Sequence, residues 1–512
     1  MKTQIIFFLT IFSNFVFSQQ MDTSFGDNGT LVIESPGSQD RITLYFSYLT
    51  EDNSIVNVGH FDSKNGKDYD FIRKYTSTGT IDTSFGESGE YIVKSPEVVS
   101  TTYLLSSAIM NDGSILISIF NNLEKTYFLK VTKTGQTDLS FGNGGYLINP
   151  VPSNFTRSDI KVLNDNFISV TDIPVSAEIS AFYKNGSINT NFGTNGHVIT
   201  NFGNLYSNIR SVYSKIRNNK IYLFGYLKRQ GVSYSYFACY NENGQLDGNF
   251  GNGGFFVLDK FYDNQDLNVD FDIQDDGKIL FLAGNAYSDP GQSGPLIRRY
   301  NTDGTPDQSF GNMGSTTFSV SGSWTTIWCN VIMQLPNKKI LIGSAFNHSS
   351  ASKGPAILCF NENGTKDLSF GGNVKSTYDG TFIYGLYLLP GVYSKVRTIL
   401  QDNNNNLVIS ANPYSFLFAY NFKLNYSSES LHIENVNFQD QLKIYPNPVE
   451  HNAIIFNPSQ LNVDYDIVDI TGKLLKSGNT KNTNIDFSKL TKGNYIVTFK
   501  NEKLKSIKVI KR

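Results

Sequence analysis

The stretch Asp22-Thr23-Ser24-Phe25-Gly26 decides the fold, because closely similar stretches follow it six more times along the 512 residues. Self-similarity at a nearly fixed period is the mark of a repeat array. The sequence therefore predicts seven similar units. Their phenylalanines are Phe25, Phe85, Phe141, Phe192, Phe250, Phe310 and Phe370, spaced 60, 56, 51, 58, 60 and 60 residues apart.

Each copy of this motif has the chemistry of a self-contained turn. An aspartate three residues before the Phe is expected to accept hydrogen bonds from following backbone amides, and the Ser or Asn just before the Phe to do the same. The Phe is expected to pack between neighbouring sheets, and the Gly after it to adopt a conformation that other residues resist. Because a catalytic residue is needed once and not seven times, we predict a structural role. The motif residues are Asp22, Asp82, Asp138, Asp247, Asp307 and Asp367, with Asn189 in the remaining copy, and Gly26, Gly86, Gly142, Gly193, Gly251, Gly311 and Gly371.

A second turn in the middle of each unit, such as Asn111-Asp112-Gly113, lies between short apolar runs and indicates a hairpin. Each unit then holds about four strands. Units of this size bury too little alone, and stacking them around an axis gives an all-β, seven-bladed β-propeller, with an open solenoid as the alternative. No room for a strand is expected before the first motif. Thr30 to Glu34 is predicted to join the sheet containing Phe416 to Phe422 and so close the ring.

The repeated motif, the mid-unit hairpin and the stretch Arg299-Tyr300-Asn301-Thr302-Asp303-Gly304 together resemble the delta-60 repeat family. The resemblance extends over roughly residues 22–425. It implies a propeller fold and offers no catalytic residues to transfer. We therefore expect the propeller to occupy residues 19–425.

A composition change marks a polar linker at residues 426–441 and a second domain at 442–512, in which seven short candidate strands predict a small β-sandwich. Its motifs closely resemble the type A C-terminal sorting domain of the type IX secretion system. The resemblance implies export across the outer membrane of a Gram-negative bacterium, with the secretion machinery as a partner and the protein secreted or attached to the cell surface. The residues that carry it include Tyr445, Pro446, Asn447, Pro448, Gly472, Gly493 and Tyr495.

The first 18 residues read as a secretory signal peptide, with Lys2 before an apolar run and Val16-Phe17-Ser18 as the cleavage site. With 43 basic and 45 acidic residues, the chain gives no electrostatic argument for nucleic acid. No later apolar run is long enough to span a bilayer, so an integral membrane protein is not expected. The five scattered histidines and three cysteines predict no metal site, no nucleophile and no cofactor, and Cys239, Cys329 and Cys359 are expected to be buried.

Loops that follow the mid-unit hairpins are the predicted place for a ligand. Tyr234, Tyr236, Tyr287 and Trp324 lie in them and are candidates to stack on sugar rings, with packing between units as the alternative. Two function classes remain open. One is a non-enzymatic propeller that binds a glycan or a protein outside the cell, and the other is a polysaccharide hydrolase or lyase with acids converging near the axis.

Overall fold

The computed structural model describes residues 19–34, 40–63, 68–97, 99, 102–151, 158–259, 269–284, 295–318, 326–347, 353–367, 370, 374–375, 382–383, 386–388, 394–413, 418–426, 442–456, 462–500 and 506–512. These residues form strands and turns, with no helix among them. The chain divides into two compact units, one extending to Ser428 and the other beginning at Glu429. The predicted signal peptide lies outside the described residues.

Seven sheets of four or five strands follow one another through the described part of the first unit. The chain enters with β1 (Gln19–Met21) and β2 (Thr30–Glu34). The sheets that follow are β3 (Arg41–Leu49), β4 (Ile55–Asp62), β5 (Tyr69–Tyr75) and β6 (Glu90–Ile92); β7 (Thr102–Ile109), β8 (Ile115–Asn121), β9 (Thr126–Val131) and β10 (Tyr146–Ile148); β11 (Ser158–Leu163), β12 (Asn166–Ile173), β13 (Ser176–Phe182) and β14 (His197–Ile199); β15 (Ser207–Arg217), β16 (Lys220–Arg229), β17 (Val232–Tyr240) and β18 (Phe255–Val257); β19 (Val269–Ile273), β20 (Ile279–Ala283), β21 (Leu296–Tyr300) and β22 (Ser315–Thr317).

The sixth sheet contains β23 (Thr326–Gln334), β24 (Ile340–Asn347), β25 (Lys353–Phe360) and, after the two-stranded ribbon of β26 (Val374–Lys375) and β27 (Phe382–Ile383), the strand β28 (Leu386–Leu388). The seventh contains β29 (Ser394–Gln401), β30 (Leu407–Pro413) and β31 (Phe418–Tyr426). Neighbouring strands within these sheets are antiparallel, so short turns suffice to connect most of them.

The two ends of the first unit close the ring. Strand β2 pairs with β31 from Thr30 opposite Phe422 to Glu34 opposite Phe418, which confirms the predicted closure. The expectation that no strand precedes the first motif is wrong, because β1 pairs with β31 as well, with Gln19 opposite Tyr426. This three-residue strand needs only backbone pairing, so its sequence carries no periodicity to reveal it. The fold is a β-propeller, and the open solenoid is excluded.

Seven separate apolar cores lie in the described part of the propeller, and each contains one motif Phe. The core around Phe25 includes Val408 of the seventh sheet and Ile42 of the first, so it packs across the point of closure. All seven Phe side chains are 3% exposed or less. The predicted packing of the motif Phe between neighbouring sheets is therefore confirmed.

The motif turn satisfies its own polar groups, largely as predicted. In the first sheet, Asp82 Oδ1 accepts from the Ser84 amide at 3.1 Å. The Ser84 hydroxyl, however, donates to the same oxygen at 2.5 Å, so this serine caps the aspartate and does not accept from a backbone amide. Gly86 has φ +57° and its amide donates to the carbonyl of Thr134 in the next sheet. In the six copies whose glycine the structure describes, the motif therefore fastens one sheet to the next.

The second unit is a sandwich of two antiparallel sheets around one apolar core. One sheet contains β32 (Lys443–Tyr445), β33 (Asn452–Phe456) and β36 (Asn484–Asp486). The other contains β34 (Asp464–Asp469), β35 (Leu474–Asn479), β37 (Gly493–Phe499) and β38 (Ile507–Lys511). These seven strands match the predicted number, and Gly472, with φ +85°, lies in the predicted hairpin between β34 and β35.

Candidate functional site

The four aromatic residues predicted to bind a ligand do not form one site among the described residues. Tyr287 and Trp324 lie outside the part of the chain that the structure describes. Tyr236 is 0% exposed and packs edge-on against Phe202 in the core between the third and fourth sheets, with ring centroids 5.0 Å apart. The prediction that Tyr236 lies on an exposed loop is wrong. Burial raises the pKa of its hydroxyl well above the usual value.

Tyr234 belongs to a two-stranded ribbon where the sequence predicted a loop at residues 225–236. Strands β16 and β17 pair without interruption from Ile221 opposite Tyr240 to Arg229 opposite Val232. The outer strand β18 pairs only with Tyr236 to Ala238, so the distal part of the ribbon extends past it. Along β17, Val232 is exposed, Ser233 and Tyr234 are partly buried, and every residue from Ser235 to Tyr240 is buried, so the ribbon passes from an exposed end to a buried base between Tyr234 and Tyr236.

The end of this ribbon carries two exposed cations. Lys228 and Arg229 are both exposed, and the Arg229 guanidinium lies 5.1 Å from the centre of the Tyr234 ring. A cation at this distance from an aromatic face is attracted by the ring quadrupole. Tyr234 therefore supports Arg229 on one side and packs against the core on the other, and it does not offer a bare ring to a ligand.

Two neighbouring segments adjoin the ribbon. The turn between β12 and β13 is held by Arg210, whose Nη1 donates to Ile173 O at 2.6 Å and whose Nη2 donates to Pro174 O at 2.9 Å. Strand β15 pairs with the ribbon, with Ser207 opposite Lys228 and Arg210 opposite Tyr226. We call residues 173–176, 199–211 and 226–235 together the basic edge of the third and fourth sheets.

The basic edge combines charge with exposed apolar groups. Four of its apolar side chains are more than half exposed, namely Val175, Ile199, Leu205 and Val232. Residues of this kind are normal singly on a surface, and here four of them fall in three segments that also carry two exposed cations. The loop that the sequence predicted at residues 225–236 overlaps this edge, but the other two segments could not be predicted, because they come beside it only through strand pairing and the hydrogen bonds of Arg210.

A second group of polar residues lies on the first strands of the sheets. Asp159 of β11, Asp270 of β19 and Asp272 of β19 are acids outside the turns, which the sequence analysis did not identify. Asp159 accepts from the hydroxyls of Ser106 and Ser214, at 2.9 and 2.5 Å, in the sheets on either side. Asp270 and Asp272 accept from the backbone amides of Ile332 and Gln334 in β23, at 2.9 and 2.7 Å.

The carboxylates of all three residues are therefore engaged in hydrogen bonds that hold neighbouring sheets together. A first strand has an unpaired edge, and side chains from the preceding sheet satisfy some of its backbone groups. The same task falls to Asn412, which bonds both the amide and the carbonyl of Leu44 across the closure. Burial raises the pKa of Asp270, although Lys215 Nζ lies 3.2 Å away and acts to lower it. For Asp159, burial also acts to raise the pKa, but Lys161 and the two serines outweigh it and the net shift is downward.

A pocket of about 520 Å³ lies where the first strands end, near the mid-unit hairpins. Leu49, Ile109, Met333 and Leu400 come from four different sheets and give it an apolar wall, while Arg217 and Asp275 form an ion pair in its lining. The three acids described above are not part of the lining. The pocket therefore offers space at the axis without a pair of convergent carboxylates.

Metal-binding groups do not cluster in the described residues, where no set of three or more His, Cys, Asp or Glu side chains comes together. His60 pairs with Asp70 at 2.9 Å and His197 with Glu178 at 2.8 Å. All three cysteines are buried and unpaired with one another, as predicted. Burial raises the pKa of the Cys239 thiol to about 12, which disfavours a reactive thiolate.

The motifs of the second unit have structural roles that link them to its last strand. Asn447 Nδ2 donates to Lys508 O at 2.7 Å and its Oδ1 accepts from Ile510 N at 2.9 Å. Tyr495 is buried and its hydroxyl donates to Thr491 O at 2.6 Å. Residues 443–512 match the family model described as "Secretion system C-terminal sorting domain". The second unit is a secretion sorting domain. This sorting domain indicates a protein that is secreted or attached to the surface of a Gram-negative bacterium of the Bacteroidetes type, exported by the type IX system.

The propeller repeats match a second family model, described as "Domain of unknown function (DUF5122) beta-propeller", at residues 50–85, 217–250, 274–310 and 335–370. Each match ends at a motif Phe, which confirms the repeat and its fold. The description assigns no function, and it does not use the delta-60 name. No curated protein matches the chain.

Solved structures similar to the chain include propellers of low sequence identity. The β-propeller domain of the trilobed protease from Pyrococcus furiosus has 9% identity and a TM-score of 0.40, covering 75% of this chain and 93% of its own. Drosophila semaphorin 2a has 8% identity and a TM-score of 0.40, covering 94% and 99%. PorZ of Porphyromonas gingivalis has 10% identity and a TM-score of 0.17, covering 95% and 100%. With such scores, nothing about function follows from these likenesses.

The described residues contain no helix of the length and hydropathy needed to cross a membrane.

Proposed function

We propose that this protein is a non-enzymatic binding propeller, displayed or released outside the cell by its sorting domain, which recognises a glycan or protein ligand through the basic edge. The observation that carries the proposal is the ribbon end at Lys228 and Arg229, which extends past the outer strand with both cations exposed. Among the described residues the motif turns make the same contacts between sheets, including the one from Gly193 to Asn243 between the third and fourth sheets, so a specific ligand requires a place where the units differ.

The experiment uses the purified full chain, which is immobilised and screened against extracellular glycans and against surface proteins of the bacterium that produces it. We expect retention of a ligand without any product, and loss of retention in the double variant K228S/R229S. The matched control is K133S/K184S, which removes two exposed cations from the polar turns that precede the motifs of the second and third sheets. Equal retention by wild type and K228S/R229S would move the site away from the basic edge, and retention of no ligand would contradict the proposal.

A polysaccharide hydrolase or lyase is the second candidate, favoured by one observation. Asp270 has a pKa raised by burial and lies two residues from Asp272 on the same strand, and a carboxyl group with a raised pKa near a second carboxyl group is a pattern used in general acid and base catalysis. Both side chains hold backbone amides of β23, which weighs against free participation in catalysis. Product formation in the same screen, abolished in D270N with the fold intact, would favour the enzyme over the binding propeller.

A further inference from the structure

We infer that the ligand of the basic edge is an acidic polysaccharide, one whose sugar rings bear carboxylates or sulfates. The inference rests on the proposed function and names the chemical class of its ligand. It comes from three features of the same surface, namely its one-sided charge, the support of its cations and the mixture of side chains around them.

The charge of the basic edge is one-sided in a chain that is otherwise balanced. Residues 173–176, 199–211 and 226–235 contain Arg210, Lys228 and Arg229 and no Asp or Glu, whereas the whole chain has 43 basic and 45 acidic residues. Two acids meet these segments from outside and are engaged there: Asp172 accepts from the Ser211 amide at 3.1 Å, and Glu178, opposite Ile199, pairs with His197 at 2.8 Å. Segments of one sign on a balanced protein produce a local potential that attracts the opposite sign. An anionic ligand fits this surface, and a cationic one does not.

The cations are available and partly fixed in place. Elsewhere in the propeller, lysines such as Lys130 are buried against motif aspartates, with Lys130 Nζ 3.1 Å from Asp138 Oδ2. Lys228 and Arg229 have no carboxylate partner among the described residues, and the ring of Tyr234 restricts Arg229. An arginine that is already ordered loses less conformational freedom on binding a planar anion, and its fork suits carboxylate and sulfate groups.

The remaining side chains favour a sugar polymer over other anions. Asn204 and Asn208 are exposed amides that suit hydroxyl groups, while Val232 and Leu205 are exposed apolar side chains that suit the C–H faces of sugar rings. The two exposed cations lie at the end of a ribbon that extends past the outer strand, and an extended ribbon suits a long chain better than a small molecule. An anionic lipid surface also combines charge with apolar groups, but it makes no use of the amides, and we treat it as an outcome of the test.

The test compares acidic and neutral polysaccharides that share the same polymer backbone. Immobilised full-length protein is exposed to polygalacturonate and to its methyl-esterified form, and separately to dextran sulfate and to dextran. We expect at least one acidic polymer to bind about tenfold or more tightly than its neutral form, and its affinity to fall as salt rises from about 50 to about 200 mM, because ionic contacts are screened. Thermal unfolding of every variant serves as the check on folding.

The variants locate the effect. K228S/R229S should weaken binding of the acidic polymer about tenfold, K228R/R229K should retain most of it because the charge is kept, and K133S/K184S should leave it unchanged within about twofold. Equal binding of acidic and neutral forms would overturn the acidic class while leaving the binding function intact. If no polysaccharide binds but the wider screen captures a protein, or vesicles containing anionic lipid are bound, the inference of a polysaccharide ligand would be overturned. Failure of every ligand would overturn both.

Discussion

The motif turns of the third and fifth sheets have the same backbone hydrogen bond but differ in charge. In both, the residue three before the Phe donates its amide at 2.9 Å to the strand before it, Asn189 to Ala181 O and Asp307 to Arg299 O. In the fifth turn, Asp307 Oδ2 also meets Arg299 Nε at 2.8 Å and Lys278 Nζ at 3.1 Å. In the third turn, Ala181 and Asn166 stand at the positions of those two cations. The turn therefore keeps its backbone hydrogen bond in both sheets, whereas the aspartate and its two cations are either all present or all absent.

In each of the other five turns, the motif aspartate is again paired with a cation, but the cation comes from different positions. The cation is on the strand just before the turn in three of them, with Lys74, Lys130 and Lys423 lying within 3.6 Å of Asp82, Asp138 and Asp22. In the remaining two, Lys220 and Lys339 approach from the mid-unit hairpin, within 2.9 Å of Asp247 and Asp367. In these two turns, Cys239 and Cys359 occupy the strand position that holds the cation in the other three. The two cysteines are thus explained as small buried residues beside an aspartate whose cation comes from elsewhere.

Removing the charge of the fifth turn should have the largest effect. D307N leaves Arg299, whose side chain is 6% exposed, without its carboxylate, and loss of one partner of a buried pair costs about 3 kcal/mol or more of unfolding free energy. The measurement is urea unfolding of the full chain. D275N, in which an exposed carboxylate loses Arg217, is the matched control and should cost under about 1 kcal/mol. Equal losses in the two variants would contradict the importance of burial.

Acid should weaken all the charged turns together. Burial acts to raise the pKa of Asp307, but the hydrogen bonds from Ser309 and the nearby Lys278 and Arg299 outweigh it and the net shift is well downward. The pKa values of Asp22, Asp82, Asp138 and Asp247 are lowered too. A carboxyl with a depressed folded-state pKa stabilises the fold above its unfolded value of about 3.9 and loses that contribution as the pH falls through the folded value.

The free energy of unfolding should therefore decline from about pH 5 to about pH 2, as these groups bind protons more readily in the unfolded chain. Urea unfolding at a series of pH values is the measurement. D307N provides the comparison, because it lacks one of the groups and should show a shallower decline. A decline of the same depth in D307N would mean that Asp307 does not contribute.

Charging the third turn should have the smallest effect. N189D introduces a carboxylate with no cation at either position, and we expect a loss of about 1 kcal/mol. The double variant N189D/A181K should recover it, because a cavity of about 190 Å³ lined by Ala181, Asn189 and Phe192 has room for a lysine side chain. A181K alone, which adds a cation without the motif acid and leaves Glu242 as the acid in the cavity lining, is the control. A double variant no more stable than N189D would refute the interchangeable role of the two positions.

Much of the propeller could be predicted because the information is local and repeated. The motif Phe, the glycines and the acids of the turns lie within a few residues of one another, and seven copies separate the constant positions from the variable ones. The same holds for the sorting domain, whose Gly472 turn and strand number follow from short-range patterns. Strand β1 was missed because three residues carry no pattern and are held by Leu424, Asn425 and Tyr426, some 400 residues away.

The candidate site was predicted less well because its parts are distant in sequence. The polar residues around Tyr236 predict a loop, whereas the strand is buried continuously from Ser235 to Tyr240 by the sheets on either side, with no alternation that a sequence pattern could show. Arg210 gave no reason to be linked with Ile173 and Pro174. Asp159 was not noticed because its partners Ser106 and Ser214 lie in other units.

By itself, the sequence determined the repeat, the all-β class, the closing pair of β2 and β31 and the sorting domain, since these follow from patterns that span a few residues and recur. Only the tertiary structure decided which cation meets each aspartate, which tyrosines are buried and which three segments form the basic edge. Charge pairing and burial depend on distance in space, and a ring of sheets brings together residues that the linear chain separates by tens to hundreds of positions.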